Sequence, residues 1–178
     1  MSHDVVEPMK ALIIVTIAVT GAVWDLSTRR IPNAITLGAG ALALIFSVWT
    51  DGSSGLVHSL FGYLTGLVLF FPLFALGGMG AGDVKLVAAV GAWMGPRGAL
   101  WVTLLTSVAG GALALLVSFA RGYTREAIQK VGLLIAVWRH GSLRPVPGLT
   151  LADAEGPRIA YAVPIAVGVL ATLWLGLM

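Results

Sequence analysis

No cysteine occurs among the 178 residues of this chain, which excludes disulfides, thiolate metal sites and cysteine nucleophiles together. Charge is scarce as well: Asp, Glu, Lys and Arg make up only 11% of the residues, too few to solvate the surface of an ordinary soluble domain. The three histidines, His3, His58 and His140, are scattered without ligand spacing, so no metal site is expected. No serine stands with a histidine and an acid in a recognisable nucleophile motif, which sets serine-protease chemistry aside. Nothing in the chain calls for a cofactor.

What fills the chain is apolar. Hydrophobic residues make up 58% of it and the mean hydropathy is +0.94, values that place it among membrane proteins. A hydrocarbon core of about 30 Å needs about 20 apolar residues per helix, so the length allows roughly six crossings with short connections. Apolar runs fall at 9–24, 34–49, 56–76, 84–94, 98–120 and 159–177. The expected fold is therefore all-α, a single membrane-embedded domain over 1–178 built as a bundle of six transmembrane helices.

The connections are as informative as the runs. Asp4, Glu7 and Lys10 stand before and at the start of the first run in place of a basic n-region, so it reads as a retained span. Pro32 and Asn33 suit the first turn of a second helix. Asp51 to Gly55 reads as a polar turn, and Pro72 is expected to kink or fray the end of the third run. The stretch 121–158 reads as a loop whose apolar run, Val131 to Trp138, is too short to span and suits an interfacial helix.

Basic residues are distributed unevenly over this arrangement. Arg29, Arg30, Lys85, Arg121, Arg125, Lys130, Arg139, Arg144 and Arg158 fall on one side, against Lys10 and Arg97 on the other. Positive charge accumulates in the cytoplasm, so the first side is expected to face it, with both termini outside. The formal charge of +3 is then topological, and no basic face interleaved with aromatics suggests nucleic acid.

Two aspartates stand out against this background, Asp25 before Leu26-Ser27-Thr28-Arg29-Arg30-Ile31-Pro32-Asn33 and Asp83 within Gly80-Ala81-Gly82-Asp83-Val84-Lys85. Each falls at the end of an apolar run on the cytoplasmic side. Either alone could be a boundary acid solvated by headgroup water. Brought within a few ångströms, however, two carboxylates cannot both ionise easily, so the pair shares a proton and supplies a base and an acid together. Such a pair titrates as a unit, and neither role is assigned to one residue. Gly80 and Gly82 would let backbone approach a substrate or adopt positive φ beside Asp83. Lys85 either snorkels to headgroups or meets an acidic group at the site. Arg29 and Arg30 read as topological residues that bind anionic lipid. Pro32 and Asn33 are expected to shape and cap the second helix, fixing Asp25 indirectly.

These residues carry a family resemblance. Gly78-Met79-Gly80-Ala81-Gly82-Asp83-Val84-Lys85-Leu86, preceded by Asp25 with Ile31-Pro32-Asn33 six residues on, resembles the type IV prepilin peptidases, membrane aspartic proteases with a GxGD motif. The resemblance implies that Asp25 and Asp83 are the catalytic acids. It also implies the substrate: precursors of pilins or pseudopilins with a short basic leader, cut at the cytoplasmic face of the inner membrane. The long form of the family carries a cysteine-rich loop between its first two spans and N-methylates the new terminus. Here there is no Cys and Asp25 closes the first span directly, so methyltransferase activity is not expected. The short, peptidase-only members serving Flp/Tad-type pili are the nearer match. A small proton-coupled transporter would place its acids near the bilayer midplane, and a non-catalytic assembly factor would leave the aspartate contexts unexplained.

Overall fold

A computed structural model describes residues 3–122 and 160–177, with positions 124, 125, 128, 129, 132 and 136 between them. Four helices make up these residues: α1 (His3–Thr28), α2 (Asn33–Ala75), α3 (Ala81–Ala120) and α4 (Ala162–Trp174). The described residues are thus all-α, and three of the helices, over Val6–Thr28, Asn33–Ala75 and Ala81–Ala120, are long and apolar enough to cross a membrane. Large apolar side chains such as Leu12, Trp49, Val108 and Phe119 stand exposed on the outside, as a surface solvated by lipid requires.

The expectation of six separate spans is corrected here. Runs 34–49 and 56–76 lie in one helix, α2, and runs 84–94 and 98–120 in another, α3. The expected polar turn at Asp51 to Gly55, and Gly95-Pro96 in the gap expected between runs 84–94 and 98–120, leave the flanking residues helical. In each case a single residue departs from helical geometry: Gly52 with φ 61 and ψ −138, and Gly95 with φ 73 and ψ 179. Both φ values belong to the left-handed region that glycine enters without a Cβ penalty. The last run contracts to the 13 residues of α4, short of a full crossing. The expected interfacial helix Val131 to Trp138 lies, but for positions 132 and 136, outside the described residues.

One residue suffices to turn each long helix back on itself. Gly40 and Tyr63 would lie about 35 Å apart along a straight helix, yet Tyr63 Cε2 is 3.3 Å from where a β-carbon on Gly40 would sit. In α3, Ala99 Cβ comes within 3.0 Å of the same virtual atom on Gly91, where a straight helix would separate them by about 12 Å. Both α2 and α3 are therefore hairpins of two limbs.

The first limb of α3 is the centre of the bundle. Val84 and every residue from Leu86 to Gly95 are buried, the mark of a helix enclosed on all sides. Glycines on α2 let the backbones meet: a β-carbon on Gly62 would fall 2.8 Å from Gly95 Cα, and one on Gly66 2.8 Å from the Val87 carbonyl. Small residues at such crossings are what permits close packing in lipid. Ser59 Oγ donates to the Ala92 carbonyl at 2.8 Å and Trp93 Nε1 to the Ala39 carbonyl at 3.0 Å, locking α3 to both limbs of α2. The α4 helix packs on α3 and on α1, and this contact completes the surroundings of Asp25.

Candidate active site

Asp25 is positioned by the spacing of α1. Ile14, Ala18 and Ala22 are buried and four residues apart on one helical face, and Asp25, three residues further on, continues the stripe at 8% exposure. An acid is thereby turned into the bundle. The helix ends just beyond it: Arg29 takes φ 55 and donates its backbone N–H to the Asp25 carbonyl at 2.8 Å, an αL stop normally given to glycine. Ile31 is buried and Pro32, extended at φ −60 and ψ 139, opens α2. The Pro32 carbonyl accepts the N–H groups of Ile35 at 3.0 Å and Thr36 at 3.3 Å.

Asp83 arrives from the other direction, in the first turn of α3, where the helix dipole favours an acid. Gly80 precedes that turn with φ −74 and ψ 145, and its carbonyl accepts the Asp83 N–H at 3.2 Å. The expected positive φ beside Asp83 is corrected: it falls on Gly77, φ 76. Gly80 is instead required for space, because a β-carbon there would lie 2.9 Å from Asp83 Oδ2. Gly82 has the same reason, since its β-carbon would meet Ile31 Cβ at 3.1 Å.

Both carboxylates open into one pocket of about 310 Å³, lined by Asp25, Arg29, Arg30, Ile31, Asn33, Gly80, Ala81, Gly82, Asp83 and Lys85. Asp83 Oδ1 is buried and has no hydrogen-bond partner among the described residues, whereas Asp25 Oδ2 accepts the backbone N–H of Ala162 at 3.3 Å. A buried carboxyl oxygen without a protein donor is fit to meet a water or a substrate group. Among the described residues no three His, Asp or Glu side chains come together as a ligand set for a metal.

The other anticipated residues sit around this pair. Asn33 does not cap α2 with its side chain. Its Oδ1 instead accepts a hydrogen bond from Lys85 Nζ at 2.9 Å, so Lys85 is tied to the first turn of α2. Pro32 lies beside the pocket and shapes the entry to α2. Arg29 and Arg30, read from the sequence as topological, contribute to the wall. Lys10 and Arg97 line a separate pocket with Glu7, Asp51 and His58, about 22 Å away from Asp25 along α1. The contribution of α4 was not anticipated, because a main-chain N–H has no residue type to betray it.

The sequence is similar to those of known proteins. A prepilin leader peptidase/N-methyltransferase of Xanthomonas campestris pv. campestris is 35% identical over 122 residues, 64% of this chain and 42% of that protein. The enzyme of the same name from Aeromonas hydrophila is 28% identical over 173 residues, 93% of this chain and 49% of its own. The chain thus spans about half the length of the curated relatives it matches. No solved structure matches it. The sequence model of the type IV leader peptidase family covers residues 12–115, more than half of the chain and both aspartate motifs, and the chain belongs to that family.

Proposed function

We propose that this protein is an aspartic endopeptidase of the cytoplasmic membrane that removes the leader from prepilin-like precursors. The observation that carries the reading is the shared pocket of Asp25 and Asp83. With one proton between them, the ionised carboxylate takes a proton from a water as its oxygen attacks the scissile carbonyl, and the protonated one donates to the carbonyl oxygen. Collapse of the tetrahedral intermediate breaks the C–N bond, and the leaving amine takes up the proton drawn from the water. Gly80 and Gly82 leave room for the carboxylate and for Ile31, and the Lys85–Asn33 bond holds the first turns of α2 and α3 together.

The site faces the cytoplasm in this reading, with the N-terminus outside, because nine of the eleven basic residues gather at the aspartate end or in 121–158. The short, peptidase-only form is favoured by the absence of Cys and by the brevity of the α1–α2 connection. Substrates would be pilin or pseudopilin precursors of a type IV pilus or secretion system, drawn from the membrane in which the enzyme sits.

The test is cleavage of a co-expressed precursor by Asp25→Asn and Asp83→Asn variants. Loss of processing in both is expected, and normal processing by either excludes the paired mechanism. Orientation is read separately. Glu7→Cys and Ser27→Cys, made one at a time in a chain without native cysteine, should be labelled from outside and from the cytoplasm respectively. Mass spectrometry of the processed terminus should show no added methyl group when S-adenosylmethionine is supplied.

A further inference from the structure

Asp25 stands where its own helix opposes it. It lies in the last turn of α1, at the negative end of that helix's dipole, and is 8% exposed. A carboxylate buried there requires a donor. The donor comes from the far end of the sequence: the N–H of Ala162, the first residue of α4.

The α4 helix, for its part, lacks a cap of its own. Tyr161 occupies the N-cap position and offers no side-chain hydrogen bond, where Ser, Thr, Asp or Asn would be usual. Neighbouring amides are used locally, Val163 N–H to the Ala160 carbonyl at 3.1 Å and Ile165 N–H to the Tyr161 carbonyl at 3.2 Å. That of Ala162 is directed at Asp25 instead. Each end therefore supplies what the other lacks, and the positive end of α4 offsets the negative end of α1.

The height of α4 is fixed by close packing on α3. A β-carbon on Gly168 would lie 2.8 Å from the Thr106 amide nitrogen, and the Tyr161 ring comes within 3.3 Å of the same virtual atom on Gly110.

We infer that the first turn of α4 is a positioning element of the aspartate site: the Ala162 N–H orients the Asp25 carboxylate, and Tyr161 seats that turn on α3 against Gly110. Ala162 acts through Asp25 and touches no substrate. The inference rests on the reading of Asp25 and Asp83 as the catalytic pair.

The decisive change is an amide-to-ester substitution in the full-length chain, replacing Ala162 by its α-hydroxy acid so that one N–H becomes an oxygen. The matched control is the same exchange at Val163, whose N–H serves only the helix. In vesicles with a precursor substrate, the ester at 162 is expected to lower kcat about tenfold or more with KM within about twofold, as loss of an interaction made at the reacting group should. The ester at 163 should stay within about twofold of the parent. Equal losses from the two esters, or none at 162, overturn the inference.

A second readout is independent of cleavage. In an inactive Asp83→Asn background, isotope-edited infrared spectroscopy should show the Asp25 carboxylate band shifted by the ester at 162 and not by that at 163. If the ester at 162 prevents folding, Gly168→Ala, which displaces α4 with every amide in place, should shift the same band, and an unmoved band overturns the inference. Normal cleavage by Asp25→Asn or Asp83→Asn, with the band shift intact, would instead sink the catalytic pair and leave the contact standing.

Discussion

Lys85 Nζ donates to Asn33 Oδ1 at 2.9 Å, so the first turn of α3 is tied to the first turn of α2 across the wall of the pocket that holds both aspartates. The two residues are 52 positions apart in sequence, and each follows an element of the site, Asn33 the stop of α1 and Lys85 the Asp83 turn. Their bond sets the relative position of two helix N-termini.

Lys85→Met and Asn33→Leu should each slow cleavage about three- to tenfold, with the double variant no worse than the poorer single one. The coupling expected for a partly exposed, charge-assisted bond is about 1 kcal/mol. A double-mutant cycle on kcat/KM measures it, and strict additivity would show that the two residues act separately.

Gly80→Ala separates space from flexibility. The backbone at Gly80, φ −74 and ψ 145, suits alanine, but its methyl would press on Asp83 Oδ2 at 2.9 Å. Cleavage should fall by about two orders of magnitude while thermal stability changes by less than about 1 kcal/mol. Gly82→Ala should act more mildly, since Ile31 can shift by a few tenths of an ångström. A stability loss equal to the activity loss would refute the steric account.

Gly62→Ala should be a folding defect. Its β-carbon would meet the Gly91 carbonyl and lie 2.8 Å from Gly95 Cα, backbone that cannot rotate away as a side chain would. Separating the α2 and α3 limbs should cost about 3 kcal/mol, read as a lowered unfolding midpoint in detergent. The precursor should still be cut by whatever fraction folds.

Thr106→Val should be neutral or stabilising. Thr106 Oγ1 is buried without a partner among the described residues, so removing the hydroxyl at nearly constant volume relieves an unmet polar group worth about 1 kcal/mol. The unfolding midpoint tests the sign, and a clear loss would reveal a partner such as water for that oxygen.

Much of the site could be read from residue types. Asp25 and Asp83 stood out by their motifs and by their place at the ends of apolar runs, and the glycines before Asp83 pointed to close approach or positive φ, of which crowding and not positive φ explains Gly80. The hairpins were harder. Asp51 to Gly55 reads as a loop because glycine and serine are poor helix formers, yet one left-handed residue reverses the chain while its neighbours keep their helical bonds. The role of α4 could not be read at all, since what matters at position 162 is a backbone N–H that nearly every residue possesses. Tyr161 in place of a capping residue was the only trace.

The bond from Ala162 to Asp25 also has a consequence for biosynthesis. A ribosome has made both aspartates by residue 83, but the donor to the first is added 79 residues later. A chain interrupted anywhere between these points carries the full GxGD motif with Asp25 not yet anchored. If the pair is catalytic as proposed, its first carboxylate would be held in place only once the chain has been made past residue 162, so a shorter nascent chain would carry both acids without that anchor.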